Sequence, residues 1–565
     1  MHSMLFSLVT KLIYVSLLAA LPTTAVAMHL RIKERIPGPI IPLVAMAAVC
    51  LFGYGAFWAF FATVWLGKVY VAAIYLLSTV YLFKFYPELL KLFWHDRDLR
   101  SVWVLMLLIG CSYLAILCAQ YKGGDGLVLP AHRWFELPPD NIIPVIFADR
   151  LENGISPHNL LGDWLSSDRP PLQTGVILLL RPPLFALGLN HIAVAASQWF
   201  QLLWIPGLWA LLRTLGATPR VAASIISITA CTSFGLLYSL FTWPKLGAAA
   251  MILGGLSLIL SQSVKSPRER WGIVATLLAL GHLSHGGVDF SILALAPLLF
   301  WAHWRPDFRS FAVGTLLFGL LITPWMAYQK YYDPPGNRLL KWHLAGVVAI
   351  DQRSFSQALT DSYREIGWRG AWQNKIANFR KILDGDFTQI ADFSMRAECA
   401  QNRRANDEFF CLFRSLSFGN LALLGSPLAV WLVLRKQGAG QLLPGIITCL
   451  AWVTLTIIIW CLLMFIPSTT VIHQGSLVTP VILFALPMLL IITCNWYWFL
   501  AIAVLQLASF ITTWWPAVPD FAGPTNMNAV TLLIFCSAVL LLYICSLRED
   551  ISALLSPNRH FRDNA

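Results

Sequence analysis

Apolar residues run in long unbroken stretches along this chain, the signature of transmembrane helices rather than of amphipathic helices or alternating strands. Runs of about 18 residues or more cover 4–28, 39–65, 68–87, 102–120, 191–214, 221–241, 246–263, 309–328, 418–434, 443–466, 476–494, 496–514 and 528–546. The stretch 271–303 is apolar but broken by Gly281–His282–Leu283–Ser284–His285–Gly286–Gly287, so it reads as two helices meeting at a turn. The pattern predicts an all-α polytopic membrane protein with about 13–15 transmembrane helices. The first run ends in Ala25–Val26–Ala27, which looks like a signal-peptidase site. Lys11 inside that run and a weak basic flank favour a retained helix instead.

Composition sharpens this reading. Of 565 residues, 58 % are hydrophobic and only 12 % charged, against about 25 % charged in soluble domains. The mean hydropathy is +0.67. A lone soluble domain, a disordered chain, a collagen and a disulfide-stapled miniprotein are thereby excluded. The formal charge of +12 needs no nucleic acid to explain it. Arg31, Lys33 and Arg35 follow the first run, Lys84, Lys91, Arg97 and Arg100 the third, and Arg213 and Arg220 the fifth. Lys265, Arg268 and Arg270, then Arg305 and Arg309, then Arg435 and Lys436, and finally Arg548 continue the series. All fall on one side if every run crosses, as the positive-inside rule requires of a cytoplasmic face.

The opposite, outer side receives the loop 121–190, the Trp243–Pro244–Lys245 turn, the Gly281–Gly287 turn, the segment 329–417 and the loop carrying His473. Most of the 11 cysteines lie inside apolar runs. Cys399 and Cys411 share an outer loop, where a disulfide suits an oxidising compartment and two separate thiols are the simpler alternative. Loop 121–190 is rich in carboxylates: Asp125, Glu136, Asp140, Asp149, Glu152, Asp163 and Asp168. An acidic outer loop is usually just solvated. This one lies among apolar, Pro-broken stretches, where a carboxylate is partly desolvated and its pKa rises toward the range useful to a general base.

The stretch Leu137-Pro-Pro-Asp140-Asn-Ile-Ile-Pro-Val-Ile-Phe-Ala-Asp-Arg-Leu-Glu-Asn-Gly154 resembles the first outer loop of the GT-C glycosyltransferases, in which an acidic pair precedes a helix and a Gly-terminated turn. Asp168-Arg169-Pro170-Pro171-Leu172 occupies the place of that superfamily's later Pro-Pro-Leu element. The resemblance implies an integral membrane enzyme with a polyprenyl-phosphate-linked sugar as donor, and it gives Asp140 the role of catalytic carboxylate. Two departures stand out. The second member of the acidic pair is Asn141, so a metal bridging adjacent carboxylates is not expected and Asp140 acts alone or with Asp168. The loop also follows the fourth run rather than the first. On this analogy 1–100 holds extra N-terminal helices, 101–328 the shared module, 329–417 an outer segment of short helices shaping the acceptor cleft, and 418–565 a variable C-terminal module.

Transfer of a sugar requires a base for the acceptor hydroxyl and fixed cations for the growing charge on the leaving phosphate. Arginine offers a bidentate fork and lysine a point charge. Candidate donor-phosphate or substrate groups on the outer side are Arg169, Arg181, Lys245, His282, His285 and His473. Each has a plainer alternative. Lys245 can snorkel to headgroups, His282, His285 and His473 can cap helix ends, Arg169 can pair with Asp168, and Asp125 in Gly123-Gly-Asp-Gly126 is a turn residue or a substitute base. No cofactor is expected: a zinc site lacks further ligands beyond Asp289, and P-loop, GxSxG, HExxH and strand-linked GxGxxG motifs are absent from the sequence. The expected partners are the lipid-linked donor, a glycan, lipid or protein acceptor, and membrane lipid, with no nucleic acid. The expected setting is a bacterial inner membrane with a periplasmic active site. The rival readings are an O-antigen polymerase or ligase, which relies on outer-loop arginines without an early acidic loop, and a secondary transporter, which would show inverted repeats.

Overall fold

A computed structural model describes residues 2–34, 36–119, 139–181, 192–261, 264, 266–300, 304–383, 411–435, 442–467, 477–514 and 526–547. Asp125, His473 and Cys399, and with it the Cys399–Cys411 pairing, lie outside the described residues. The described chain is helical throughout its regular elements. Its long helices are α1 (His2–Lys33), α2 (Ile41–Ala62), α3 (Val64–Lys84) and, after the short α4 (Tyr86–His95), α5 (Arg97–Cys118). Then come α6 (Ile143–Glu152), α7 (Leu172–Leu179), α8 (Ile192–Gln201), α9 (Trp204–Thr214), α10 (Pro219–Ala230), α11 (Ser233–Phe241), α12 (Lys245–Leu260), α13 (Pro267–Ser284) and α14 (Asp289–Phe300). The chain continues through α15 (Phe308–Ala327), α16 (Arg338–Ala345), α17 (Phe355–Ile382), α18 (Leu412–Leu416), α19 (Gly419–Arg435), α20 (Leu442–Leu463), α21 (Val478–Cys494), α22 (Trp496–Trp514) and α23 (Met527–Ser546).

Among the described residues eight helices are long and apolar enough to cross a membrane, or nine if the bent pair α10–α11 counts as one span. This makes the chain an all-α polytopic membrane protein with fewer uninterrupted spans than the about 13–15 that hydropathy predicts. The shortfall has a physical cause. α12 and α21 have 16 and 17 residues and are buried on nearly every face, so their apolarity reflects a protein core rather than lipid. The run 191–214 breaks between α8 and α9, and Pro206 sits in the first turn of α9, where its missing N–H leaves no gap. The run 221–241 bends by 72° where Thr232 ends one helix and caps the next, accepting from Gly235 N at 3.1 Å. By contrast α3, α15 and α23 leave most of their surface uncovered by protein.

The bundle has two ends. At one, Arg31 pairs with Asp96 at 2.5 Å and Arg213 with Asp98 at 3.2 Å, tying the last turns of α1 and α9 to the first turn of α5. Arg270 reaches Ser261 O at 3.4 Å, so α12 ends there and α13 begins there. From this basic end α5 rises 22 residues, about 33 Å at 1.5 Å per residue, to the far end, where Asn526 N donates to Ala119 O at 2.9 Å. α13 makes the same journey and delivers His285 to the far end, from which α12 departs at Lys245. Close backbone approach fixes the short α7 against α2. A Cβ on Gly53 would stand 2.9 Å from Val176 N, and one on Gly175 would collide with Gly53 O.

Candidate functional site

Three chain segments meet at the far end. The turn Pro139–Ile142 leads into α6 and carries Asp140 and Asn141. The loop ending in Asp168–Arg169 leads into α7. The third is the tight turn Phe241–Thr242–Trp243 between α11 and α12, with Thr242 held at φ +64. Side chains of the first two clasp the third. Asn141 Nδ2 donates to Phe241 O at 2.5 Å, Gln173 Nε2 to Thr242 O at 2.8 Å, and Trp243 Nε1 to Asp140 Oδ1 at 3.0 Å. Gln201 Oε1 accepts from Leu246 N and Gly247 N at 3.1 and 3.3 Å, satisfying the first free amides of α12.

Within this clasp charge is concentrated and dry. Arg169 forms an ion pair with Asp140, both nearly fully buried. Lys245 is 3 % exposed, and its ammonium lies 3.8 Å from the centroid of the Trp243 ring; it makes no ion pair among the described residues. His285 ends α13, its Nδ1 accepting from Gly287 N at 3.0 Å. His343, on α16, completes the set. Burial, then the positive charges of Lys245 and Arg169 and the neighbouring His343, hold His285 well below the ordinary histidine range. Burial and the same two cations lower His343 to about 4. Burial lowers Arg169 to about 9, which leaves it charged at neutral pH. The cluster thus sets the Arg169–Asp140 ion pair beside Lys245, whose ammonium is held well below its ordinary range by burial and then by Arg169, and beside two imidazoles held below theirs.

Behind it stands a second charged layer. Arg169 lies over the Trp164 ring at 4.5 Å and Arg338 over the same ring at 5.4 Å. Arg338 pairs with Asp163 and, at 3.4 Å, with Asp168. Asp168 Oδ2 also accepts from Leu165 N at 3.0 Å, while Oδ1 is buried without a partner among the described residues. Burial pushes the Asp168 carboxyl up to about 6 against the opposing pull of the Leu165 N–H and Arg338. Asp333 knots the layer together. It accepts from His158 at 3.0 Å, Ser166 Oγ at 2.6 Å and Ser167 N at 3.1 Å, and Ser166 meets Tyr328 OH at 2.6 Å.

Of the residues singled out from sequence, the structure brings Asp140, Arg169, Lys245 and His285 together and sets Asp168 one layer behind. Arg181 is held by Asp149 at 2.5 Å and Glu152 at 3.2 Å, so its charge is answered locally between α6 and α7. His282 turns to Asp289 at 2.7 Å rather than to the cluster. Sequence reasoning missed His343, Arg338 and the clasping amides Asn141, Gln173 and Gln201. Asn141 was visible only as a break in an acidic pair, and nothing in the local pattern around Trp342–His343 distinguishes it from a surface helix. Five polar atoms here, Asn141 Oδ1, Asp168 Oδ1, Arg169 Nε, Gln173 Oε1 and His343 Nδ1, are buried without a hydrogen-bond partner among the described residues. Buried polar atoms are normally satisfied, and these five depart from that norm. No protein-family model matches the chain, and neither does any curated protein or solved structure.

Proposed function

We propose that the chain is a GT-C-type glycosyltransferase that moves a monosaccharide from a polyprenyl-phosphate carrier to an acceptor hydroxyl on the outer face of a bacterial inner membrane. The observation that carries this reading is the burial of Lys245, His285 and His343 around Arg169, which pairs with Asp140, at one end of the bundle. Cations fixed in a dry site oppose the charge that grows on a departing phosphate far better than they would in water. A carboxylate beside those cations, Asp140, supports the reading as the acid–base group. A groove of about 400 Å³ opens beside α16, lined by Leu344, Phe355, Leu359, Thr360, Tyr363 and Leu463, and an apolar groove next to the helix that carries His343 suits a phosphate carried on a prenyl chain.

Asp140 is engaged by Arg169 and Trp243. The donor phosphate competes for Arg169, and a carboxylate relieved of its guanidinium becomes the base that takes the acceptor proton. Attack on the anomeric carbon opposite the phosphate then inverts the configuration in one step. Asp168, with its carboxyl near 6, holds Arg338 against Trp164 and supports this exchange from behind. The test is mass spectrometry of envelope glycans, lipids and proteins from cells carrying the wild-type chain or Asp140→Asn. A sugar lost in the variant, with the protein present at normal level, supports the reading; an identical glycan profile refutes it. A second reading rests on the Asp140–Arg169 pair itself. If Asp140 serves only to hold Arg169, the cations alone resemble the arginine-based site of an O-antigen ligase or polymerase, and Asp140→Asn would then spare transfer.

A further inference from the structure

The helix α17 changes character at Gly367, where the backbone takes φ +62 and kinks. Before the kink, residues 355–366 carry Asp361, Glu365 and Arg364, a net charge of −1. From 367 to 383 there are Arg369, Lys375, Arg380 and Lys381 and no acidic residue, a net charge of +4. The second half also has two unlike faces. Inward, Lys375 Nζ donates to Met464 O at 2.6 Å and to Tyr363 OH at 2.7 Å, and Asn378 Nδ2 donates to Cys461 O at 2.9 Å and Met464 O at 2.8 Å. These carbonyls end α20, a membrane span, and the two amphipathic side chains fasten α17 there. Outward, Trp368, Trp372 and Ile376 recur every four residues at 76, 60 and 39 % exposure, with Arg369 5.7 Å from the Trp368 ring centroid. At the end of another span, α15, an exposed Tyr331 carries Lys330 5.1 Å from its ring in the same aromatic–basic pairing.

From this geometry we infer that the Trp368–Trp372–Ile376 face of α17 is a binding surface for anionic phospholipid headgroups in the leaflet next to the candidate site. A helix fastened to the end of a span sits at the depth of the headgroups. Indole rings are favoured at that depth because one end is apolar and the other donates a hydrogen bond. Three outward cations with no acidic neighbour on the same half select negative lipid, each worth roughly fivefold in partitioning near an anionic surface. Because α17 packs on α16 and lines the groove beside His343 through Phe355, Leu359 and Tyr363, the lipid surface would also steady one wall of the pocket. This inference does not depend on the proposed glycosyl transfer.

The test uses the full chain in nanodiscs of phosphatidylcholine with and without phosphatidylglycerol. Tryptophan emission of the wild type minus that of W368F/W372F isolates the two exposed indoles. The expected difference is blue-shifted and quenched by lipids brominated near the headgroup, and more so when phosphatidylglycerol is present. A second variant, R369Q/R380Q/K381Q, should lower retention of phosphatidylglycerol after detergent purification several-fold while leaving phosphatidylcholine retention unchanged. A difference emission quenched by aqueous iodide and indifferent to brominated lipid overturns the inference, as does a difference reached by neither quencher, which would mean that the indoles are covered by the chain itself. Equal phosphatidylglycerol retention in the triple variant overturns the charge selectivity.

Discussion

Asp140 and Arg169 neutralise each other with both side chains buried, so any change to one leaves the other unpaired. Removing one partner of a buried pair typically costs about 3–5 kcal/mol, and this sets the design of a mutational test. Asp140→Asn should lower thermal stability by that order and cut transfer by about 10²- to 10⁴-fold, the usual range for a lost acid–base group. The double variant D140N/R169Q removes both charges and should recover much of the melting temperature in nanodiscs but none of the activity. Recovery of activity along with stability would reduce Asp140 to a structural counter-ion. Lys245 rests on Trp243 with no carboxylate paired to it among the described residues, so Lys245→Ala should weaken binding of undecaprenyl phosphate by about 10- to 100-fold, as loss of a charge-assisted contact in a dry site does. Unchanged affinity by calorimetry would return Lys245 to a packing role. His343 provides a pH readout of the same field. Its folded value near 4 lies below the unfolded 6.5, so the unfolded chain binds the extra proton. Stability is then complete above pH 6.5 and falls by about 3 kcal/mol as pH drops to 4. His343→Gln should flatten that slope in acid melting curves.

At the level of helices, the site depends on two contacts that leave no room for side chains. α7 begins just after Asp168–Arg169, and its position is set by the backbone-to-backbone approach of Gly53 and Gly175. Small residues at helix contacts permit such proximity in membrane proteins. Gly175→Ala should push α7 off α2, since the added carbon meets the Gly53 carbonyl rather than a movable side chain. Overpacking of this kind costs about 1–3 kcal/mol, and it should lower activity out of proportion because Arg169 shifts with the helix. An unchanged melting temperature and activity would show that α7 can settle elsewhere. This is also where sequence reading reached its limit. The apolar runs located the apolar helices, since lipid and buried core both demand apolar side chains, but not the polar α16 and α17. They did not separate α12 and α21, enclosed by protein, from α3 and α23, which are largely uncovered. Asp140, Arg169, Lys245 and His285 were legible because charge is rare beside apolar runs and each such residue stands out. His343 and Arg338 were not legible, because they lie in a polar segment where nothing marks one histidine or arginine from the next until α16 folds back over the pocket.

α13, 18 residues and about 27 Å long, separates the basic helix ends from His285 and its cluster, and that separation ties mechanism to orientation. Arg31, Arg213 and Arg270 gather at one end through contacts with Asp96, Asp98 and Ser261. The positive-inside rule puts such clusters in the cytoplasm, where nucleotide-activated sugars are at hand. Under the proposed function, a site at the opposite end, beyond their reach, takes a donor already carried across the membrane on a lipid. Orientation therefore discriminates between donor classes without any assay of transfer. Impermeant maleimide should label a cysteine placed at Gln352, at the pocket end, in intact spheroplasts from a strain whose chain lacks reactive native thiols. A cysteine at Arg268, at the basic end, should react only after the membrane is opened. The reverse pattern would place the pocket in the cytoplasm and exclude a polyprenyl-phosphate donor delivered from outside. Labelling of both positions in intact cells would mean that α13, which joins Arg268 to His285, does not cross the membrane. That outcome would take away the two-ended architecture on which the proposed function stands.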